Sequence, residues 1–570
     1  MKKMIRSLRR AAAALLAALC LLPAVNVRAA SDYYPDMTHS DADYAHMPRT
    51  GIDLDRVDDL LCRFADDPAG QYDALLELVD EIVTQEYLFE IESSRFGSDE
   101  TLSDELEQVQ QDYTLALDRI YLAISDALAG PQGEALRALM PEGEADSFTD
   151  YDAATDEELE SAARENELIQ DYYLLPQDES FPDAAAEIYL QLVALRREEA
   201  HRAGYDSYAD YAYDSLYSRD YTPRQIQHLT QTVKERIVPL YLQLERSALR
   251  YRTKWGTGVP ADTEILDAIE EHLPHISPEL SEAMDYLRTH GLYCIGNGDE
   301  MLDMGYTVSL PAYRSAFLFN KVSSPLDAYQ STVHEFGHFN AAYHDPTPSL
   351  YVYSALDVSE VQSQALELLF LPCLQDILAG DDEDQRTLVE LRVLSGILTS
   401  VVDGFLYNEF EQTVYESEDM TVDELHALEA RLNHEYGLDE FYGTDVFWPY
   451  ISHLFEQPFY YISYAASALP ALDIWQMGLT DRDAAVDAYL RISAAGTEEW
   501  FLDVLEECGL HDVTEKRTIT RIADGIESHL GDTISAAPHT AGHSAVYFAA
   551  VAVFLLAAIL LWRSRRRALK

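Results

Sequence analysis

Basic residues are scarce in this chain. It has 40 lysine and arginine residues against 101 aspartate and glutamate residues, and its formal net charge at pH 7 is −61 over 570 residues. A surface of this sign repels the phosphate backbone of nucleic acids, so no nucleic-acid partner is expected. The charge predicts a strongly solvated acidic surface, which could also attract cationic substrates from solution.

Cysteine is scarce as well, at five residues. Cys20 lies in the leader-like N-terminus, and the other four, Cys62, Cys294, Cys373 and Cys508, are widely spaced and form no C-x-x-C pair. This spacing excludes a zinc ribbon and a small disulfide-rich scaffold. One or two long-range disulfides remain open on the sequence alone.

Apolar runs occupy both ends of the chain. Residues 1–30 combine a basic start, an apolar stretch and a small-residue end, which predicts a secretory signal peptide. Residues 545–562 would span about 27 Å as a helix and precede a basic tail, 563–570, so we expect a transmembrane helix with a cytoplasmic tail. Residues 531–544 are rich in small and polar residues, which predicts a flexible stalk. The expected location is a cell membrane, as on a bacterial surface, with the N-terminal ectodomain outside.

Between these ends, most periodic segments are helical. Apolar residues recur every three or four positions between acidic faces, a pattern typical of amphipathic helices. The predicted fold class is therefore mainly α, and the length of the region favours two lobes over one simple core. The clearest helical segments are residues 52–93, 101–129, 225–251, 388–412 and 422–436.

One short region is β-prone instead. Residues 305–310 and 315–319 alternate β-branched, aromatic and small side chains around a turn that contains Pro311, which predicts a β-hairpin. An open edge of this hairpin could pair with an extended peptide, although a purely structural hairpin fits equally well.

A motif directly after this hairpin indicates chemistry. Residues 331–339 are S-T-V-H-E-F-G-H-F and contain His334-Glu335-x-x-His338. Helix positions four apart lie about 40° apart around the axis and roughly 6 Å along it, so both imidazoles can reach one metal ion. Glu335 is turned by about 100° and could hydrogen-bond a metal-bound water. The motif predicts a zinc site with His334 and His338 as ligands and Glu335 as general base.

A catalytic zinc needs a third protein ligand, and His344 is one candidate. It has the spacing of the metzincin pattern, but that pattern needs a glycine where this chain has Ala341, a strong helix former. A continuing helix would carry His344 roughly 15 Å along the axis from His334 and about 80° off its face. The spacing therefore disfavours His344 as a ligand.

Glu360 is the other candidate. It lies on a second predicted helix, where polar residues recur at spacing three, four, three. Such a stripe alone is typical of a solvated face. Next to an H-E-x-x-H helix, however, a carboxylate on a second helix is what a gluzincin site requires. The stripe consists of Asp357, Glu360, Gln364 and Glu367.

Together, these motifs resemble the thimet oligopeptidase and oligoendopeptidase F family of zinc metallopeptidases. The resemblance covers roughly residues 185–510 and is most specific at H-E-F-G-H and at D-x-x-E-x-x-S-Q-x-x-E, residues 357–367. Further matches are Y-A-D-Y at 208–211, Y-S-R-D-Y-T at 217–222, the Gly305-Tyr306 pair, and the string His453-x6-Tyr460-Tyr461-x2-Tyr464.

The resemblance implies a two-lobed helical peptidase around a deep channel, which admits oligopeptides but not folded proteins. The N-terminal helical region would be residues 31–184 and the zinc peptidase region residues 185–530. One Zn²⁺ per chain would be bound by His334, His338 and Glu360, with Glu335 as general base.

The resemblance also implies roles around the metal. His453 with Tyr461 or Tyr464 would donate to the oxyanion of the tetrahedral intermediate, although the spacing departs by one residue from the thimet type and Tyr460 competes. Asp357 and Glu367 could orient an imidazole. Finally, Gln362 stands where many members have proline, a change expected to be tolerated.

The function predicted from these residues is a membrane-anchored extracellular zinc metalloendopeptidase. Glu335 would take a proton from the zinc-activated water as it attacks the peptide carbonyl, and later pass it to the leaving amine. Two alternatives are weighed against it. A catalytically inactive surface peptide-binding protein should have lost a ligand or the base, and a metzincin-like sheddase is disfavoured by Ala341.

Overall fold

The amphipathic pattern of the N-terminal region folds into antiparallel helices. The computed structural model describes residues 33–535 except 36, 98, 142, 150–154, 177, 353–355, 440–445 and 496–499. Residues 1–36 and 37–570 form separate units, and every described helix and strand belongs to the second. The first α-helices of that unit are α1 (Leu54–Asp66), α2 (Pro68–Arg95), α3 (Glu100–Ala129), α4 (Gly133–Arg137) and α5 (Ala145–Phe148).

The segment 52–93, predicted as one helical stretch, is two helices. Asp67 caps α2 by accepting a hydrogen bond from the backbone N–H of Gly70, and Pro68 occupies its first position. Proline suits a helix start because it has no N–H to satisfy, and the residue before it is pushed out of the helical region. The apolar faces of α1, α2 and α3 share a core that includes Val57, Leu75 and Ile120.

The next helices surround the centre of the molecule. The predicted segment 225–251 is helical but contains a π-helical turn, and a second π-turn precedes it. The elements are α6 (Asp156–Leu174), α7 (Phe181–Arg202), α8 (Tyr208–Tyr211), a π-turn (Ala212–Leu216), α9 (Pro223–Thr232), a π-turn (Val233–Ile237), α10 (Val238–Ala248), α11 (Asp262–His272) and α12 (Pro278–Thr289).

A small sheet follows, in the order β1-β3-β2. Its strands are β1 (Tyr293–Gly296), β2 (Gly305–Leu310) and β3 (Ser315–Lys321). The predicted hairpin is confirmed, since β2 pairs antiparallel with β3. The parallel strand β1 was not predicted, because four residues contain too little alternation to be recognised.

The C-terminal helices form the central core. Helix α14 packs against α13, α15 and α18, and is apolar on most sides because it is enclosed by them. The elements are α13 (Pro325–His344), α14 (Leu356–Ala379), α15 (Glu383–Glu416), α16 (Val422–Glu435), α17 (Ser452–Glu456), α18 (Tyr461–Gly478), α19 (Arg482–Ala494), α20 (Phe501–Glu507) and α21 (Lys516–Ser535). The prediction of a mainly α fold with a small sheet is confirmed.

The expected cell-membrane location is corrected. Within the described part of the chain, no helix is both long and apolar enough to cross a membrane. The predicted signal peptide, 1–30, the transmembrane helix, 545–562, and the basic tail, 563–570, lie outside the described residues. Residues 531–535 of the predicted stalk belong to α21. The described part of the chain thus gives no support to the expected single-pass topology or to a membrane partner.

The cysteines do not form the disulfides that the sequence left open. Of the four in the described ranges, Cys62, Cys294 and Cys373 are free thiols, so none of them is bonded to Cys508. The core is therefore stabilised by packing and polar contacts without covalent cross-links among these four residues.

Candidate active site

Helices α13 and α14 cross at Gly337, between the two histidines of the H-E-x-x-H motif. A Cβ atom built on Gly337 would lie 2.7 Å from the carbonyl oxygen of Gln362 and 2.7 Å from Cα of Ser363. Only glycine permits backbones to approach this closely. The glycine thus brings the histidine face of α13 against the polar stripe of α14.

The close crossing brings His334, His338 and Glu360 together. Nε2 of His334 lies 3.5 Å from Oε2 of Glu360, and Nε2 of His338 lies 3.9 Å from the same oxygen. One ligand atom from each of the three residues lies within 4.8 Å of the others. The structure therefore places the three predicted metal ligands at one point.

This arrangement fits a single zinc ion. Nitrogen and oxygen ligands about 2.0–2.2 Å from a tetrahedral ion lie roughly 3.3–3.6 Å apart, close to the observed separations. The donor set of two imidazoles and one carboxylate is also typical of catalytic zinc. Small side-chain movements would suffice for His334, His338 and Glu360 to hold the ion.

A second carboxylate orients the first histidine. Nδ1 of His334 lies 2.6 Å from Oε1 of Glu367, and the side-chain amide of Gln330 donates to the other oxygen of that carboxylate at 2.7 Å. With Nδ1 protonated, His334 donates to Glu367 and presents Nε2 towards Glu360. Glu367 therefore lies where the resemblance implied an orienting group.

Asp357 does not contact an imidazole. Its Oδ2 accepts a hydrogen bond from the hydroxyl of Tyr221 at 2.8 Å and lies 3.7 Å from Nε of Arg219. Asp357 lies near the start of α14, one turn before Glu360, and this position directs it away from the metal ligands. The expected orienting role of Asp357 is corrected on these contacts.

Glu335 lies beside the ligands in a buried environment. The hydroxyl of Thr307 on β2 is 3.1 Å from its carboxylate oxygen Oε2 and 2.9 Å from its backbone carbonyl oxygen. Burial raises the pKa of Glu335 to about 7, and the charge of Glu360 contributes in the same direction. A carboxyl group with this pKa can both accept and return a proton near neutral pH.

The strand β2 leaves room beside this carboxylate. A Cβ atom at Gly305 would lie 3.0 Å from Oε1 of Glu335, so a larger residue there would press on the proposed base. The Gly305-Tyr306 pair that contributed to the family resemblance therefore has a local physical role. Gly305 lets the edge strand β2 pass close to the Glu335 carboxylate.

The predicted imidazole–phenol cluster is assembled on α17 and α18. The ring centroid of His453 lies 5.1 Å from that of Tyr460, 5.5 Å from that of Tyr461 and 6.3 Å from that of Tyr464. Burial lowers the pKa of His453, which favours a neutral imidazole. The structure thus brings all four of these residues together.

The three tyrosines differ in what surrounds them. Burial, with a contribution from the charge of Glu360, raises the pKa of both Tyr460 and Tyr464. Burial also raises the pKa of Tyr461, and here the carboxylate that adds most to the shift is Asp403. The ring centroid of Tyr461 lies 5.4 Å from that of Tyr407. Tyr460 and Tyr464 are therefore the two phenols on which the charge of Glu360 acts.

The remaining predicted positions are also located. Helix α13 continues through Ala341 and ends at His344, as a helix former at 341 favours, and the His344 ring contacts Tyr343. His344 is thus carried away from the ligand group. The side-chain amide of Gln362 donates to the backbone carbonyl of Ile492 on α19 at 3.1 Å, so this residue ties two helices together.

Sequence reasoning missed two residues that contact the site. Thr307 reaches Glu335 only because β2 runs alongside α13, and Gln330 reaches Glu367 only because α13 and α14 cross at Gly337. Neither residue belongs to a recognisable motif. For Gln330, the one sequence signal of a role at the site was its position one helical turn before His334.

Comparisons with known proteins show which proteins the chain is similar to. No protein-family model matches the chain. Oligopeptidase PepF of Bacillus subtilis (strain 168) is 28% identical over 211 residues, which is 35% of this chain and 31% of PepF. The match thus spans about a third of that relative's length.

Solved structures extend the likeness to most of the chain. A structure assigned as oligoendopeptidase F has a TM-score of 0.72 at 20% identity and covers 87% of this chain and 100% of its own. PZ peptidase A, solved with an inhibitor, has a TM-score of 0.70 at 18% identity and covers 86% of this chain and 100% of its own. At these identities the likeness shows a shared fold.

Proposed function

We propose that this chain belongs to the oligoendopeptidase F family of metallopeptidases and is a zinc-dependent endopeptidase that hydrolyses oligopeptides. The observation that supports this most directly is the convergence of His334, His338 and Glu360 within 4.8 Å, with Glu335 adjacent on the same helix. The relative PepF is named as an oligopeptidase, which is consistent with this activity.

The metal would be held by the two Nε2 atoms and the Glu360 carboxylate. When bound, zinc supplies a Lewis acid that polarises the peptide carbonyl and acidifies a coordinated water. Glu367 keeps the His334 ring in the required orientation through the 2.6 Å contact with Nδ1. The carboxylates of Glu335, Glu360 and Glu367 also make the pocket anionic, which favours a divalent cation.

Glu335 is the proposed proton carrier. Its buried carboxylate accepts the proton of the attacking water and then delivers it to the nitrogen of the leaving amine. The pKa of about 7 makes both transfers accessible near neutral pH, because neither form is strongly disfavoured. Thr307 holds this carboxylate against β2 through its hydroxyl.

The imidazole and phenols are the proposed donors to the oxyanion. His453, Tyr460 and Tyr464 form one partly buried cluster, and the charge of Glu360 acts on the two phenols. A hydrogen bond that forms only as negative charge develops on the carbonyl oxygen lowers the barrier, by about 3 kcal/mol in favourable cases.

The proposal is tested on the purified full-length chain. Zinc content is measured by elemental analysis, and hydrolysis is followed with an internally quenched short peptide blocked at both termini, with and without a chelator. About one zinc per chain and chelator-sensitive cleavage of an internal bond, restored by added zinc, is the expected result. A folded, zinc-loaded chain that cuts no peptide would overturn the proposal.

The size of the substrate is tested in the same assay. Casein and a folded protein are offered beside the short peptide at equal concentrations of peptide bonds. Preferential cleavage of the short peptide supports the oligopeptidase activity. Efficient cleavage of the folded protein would contradict it and favour a protease acting on large substrates.

A further inference from the structure

We propose that Arg219 is a positioning residue that fixes Tyr460 and Tyr464 relative to the metal ligand Glu360. This inference rests on the proposed function and assigns a role to a residue that contacts neither the metal ligands nor Glu335 in the structure. Three contacts of the buried Arg219 guanidinium support it. The backbone conformations of Ser218 and Phe459 support it as well.

The first contacts are with the loop and helix that carry the phenols. One nitrogen of Arg219, Nη2, donates to the backbone carbonyl of Phe459 at 2.8 Å and to the hydroxyl of Ser463 at 2.8 Å. Phe459 directly precedes Tyr460, and Ser463 directly precedes Tyr464. The guanidinium thus hydrogen-bonds the backbone next to Tyr460 and the helical turn that carries Tyr464.

A further contact is with the helix that carries Glu360. Nε of Arg219 lies 3.7 Å from Oδ2 of Asp357, and both side chains are almost fully buried, with exposed fractions of 1% and 7%. Asp357 stands one helical turn before Glu360 on α14. Arg219 therefore connects the start of the ligand helix to the phenol-bearing loop by a charged, desolvated link.

The backbone of that loop is held in an unusual conformation. Phe459 has φ +64°, a left-handed conformation that is uncommon for residues other than glycine. It is held on both sides, since its N–H donates to Oε1 of Glu411 at 2.9 Å while its carbonyl accepts from Arg219. Such conformations persist only where the surroundings impose them, and they cluster at functional sites.

The segment that presents Arg219 is equally specialised. It follows the π-turn Ala212–Leu216, and Ser218 next to it has φ +47°. The guanidinium carbon lies 4.4 Å from the ring centroid of Tyr213 and 4.4 Å from that of Tyr217. Contact with the faces of these two rings restrains the planar group, and a lysine ammonium would not reproduce it.

These contacts explain why an arginine is needed at this point. One side chain reaches a carbonyl, a hydroxyl and a carboxylate on separate elements, so a shift in any of them is transmitted to the others. The catalytic benefit of a donor depends on its position to within about 1 Å. Arg219 acts through Tyr460 and Tyr464 and has no direct contact with substrate in this role.

The test compares two arginine-to-lysine variants of the full chain. Arg219→Lys keeps the charge but loses the planar guanidinium group with its several N–H donors. The control, Arg197→Lys, loses guanidinium hydrogen bonds to the carbonyls of Val414, Tyr415 and Ser417 at the end of α15. Each is assayed for zinc content, kcat and KM, affinity for a phosphinic peptide that mimics the tetrahedral intermediate, and amide hydrogen exchange.

For Arg219→Lys we expect one zinc per chain, a KM within about twofold of the parent, and a fall in kcat and in phosphinic-peptide affinity of about 10- to 100-fold. Amide exchange should accelerate in peptides covering 457–464. The control should show faster exchange near 412–418 and an unchanged kcat. A variant with unchanged kcat, or one whose phosphinic-peptide affinity does not fall, overturns the proposal.

A milder variant covers the case in which Arg219→Lys does not fold. Ser463→Ala removes one acceptor and keeps the link to Asp357, and should lower kcat several-fold with KM unchanged. An unchanged kcat in this variant also overturns the proposal. If the parent chain itself cleaves no peptide, the proposed function fails, and hydrogen exchange at 457–464 then still decides whether Arg219 holds the loop.

Discussion

Glu367 contacts His334 on the ring nitrogen opposite the one that faces Glu360. The Nδ1 to Oε1 distance is 2.6 Å, and Nε2 of the same ring lies 3.5 Å from the Glu360 carboxylate. The imidazole is thus held between an orienting carboxylate and a proposed metal-binding carboxylate. This relationship determines which nitrogen is available to the ion.

Removing the charge of Glu367 should weaken metal binding. In Glu367→Gln the side chain keeps its shape but, without the charge, attracts the Nδ1 proton less strongly, and the affinity for zinc should fall about 10- to 100-fold. Competition with a calibrated chelator measures it. Asp376→Asn, on the exposed side of α14 beside Arg386, is the matched control and should bind zinc like the parent. Equal affinities in the two variants would contradict the orienting role.

Glu335→Gln should separate metal binding from turnover. The amide cannot accept a proton, so kcat should fall by at least about 10²- to 10⁴-fold, while zinc content stays at one per chain because the three ligands are intact. Elemental analysis and the quenched-peptide assay give both values on one preparation. A variant that retains both zinc and turnover would rule out Glu335 as the base.

The tyrosine cluster should respond unequally to loss of a hydroxyl. Tyr460→Phe and Tyr464→Phe should each lower kcat by about 10²-fold with little change in KM, since the charge of Glu360 acts on both phenols. Tyr461→Phe, flanked by Asp403 and Tyr407, is the control and should stay within about threefold of the parent. The reverse order, with Tyr461 the most sensitive, would reassign the donor.

The helix crossing at Gly337 should not tolerate a side chain. In Gly337→Ala the new Cβ would meet backbone atoms of Gln362 and Ser363 at 2.7 Å, so the free energy of unfolding should fall by about 1–3 kcal/mol and zinc affinity with it. Gly396→Ala on α15, whose nearest atom is 3.9 Å away, should instead be neutral or stabilising. Urea-unfolding midpoints compare the two, and equal midpoints would mean that the helices can separate at little cost.

Glu411 should make stability depend on pH. Burial raises its pKa from 4.5 to about 8, although the hydrogen bond from Phe459 and the charges of Arg196 and Arg219 oppose the shift. Between these values the folded state holds a proton that the unfolded state has lost. Stability therefore falls as pH rises from 4.5 to 8, by an amount on the order of a few kcal/mol.

Glu411→Gln removes this titration and can still accept from the N–H of Phe459. Relative to the parent, its urea-unfolding midpoint should rise progressively as the pH is raised from about 5 to about 8.5. Burial also raises the pKa values of Glu429 and Asp403 to about 7, but both residues are present in the two proteins, so the difference between the curves reports Glu411. Parallel curves would contradict the prediction.

Short-range sequence patterns were sufficient for several features. The helical segments followed from apolar spacing, and the β2–β3 hairpin from its β-prone residues and turn. The spacing of His334, Glu335 and His338 predicted a helix face that could bind metal, and Ala341 predicted that the helix would continue to His344. Each of these depends on residues a few positions apart, where backbone geometry alone relates sequence to space.

Contacts between distant segments required the folded structure. The strand β1 pairs with β3 across an intervening loop and strand, and Asp357 meets Arg219 in place of an imidazole. The sequence placed Asp357 and Glu367 on one stripe, but only the crossing at Gly337 decides which of them reaches His334.

The sequence by itself determined the helices, the hairpin and the chemical types of the candidate site residues, because these depend on local geometry and side-chain chemistry. The tertiary structure alone decided that Tyr460, Tyr461 and Tyr464 gather around His453, and that Arg219 joins their loop to the ligand helix. Such relationships arise where segments more than a hundred residues apart pack together, and no periodicity within one segment encodes them.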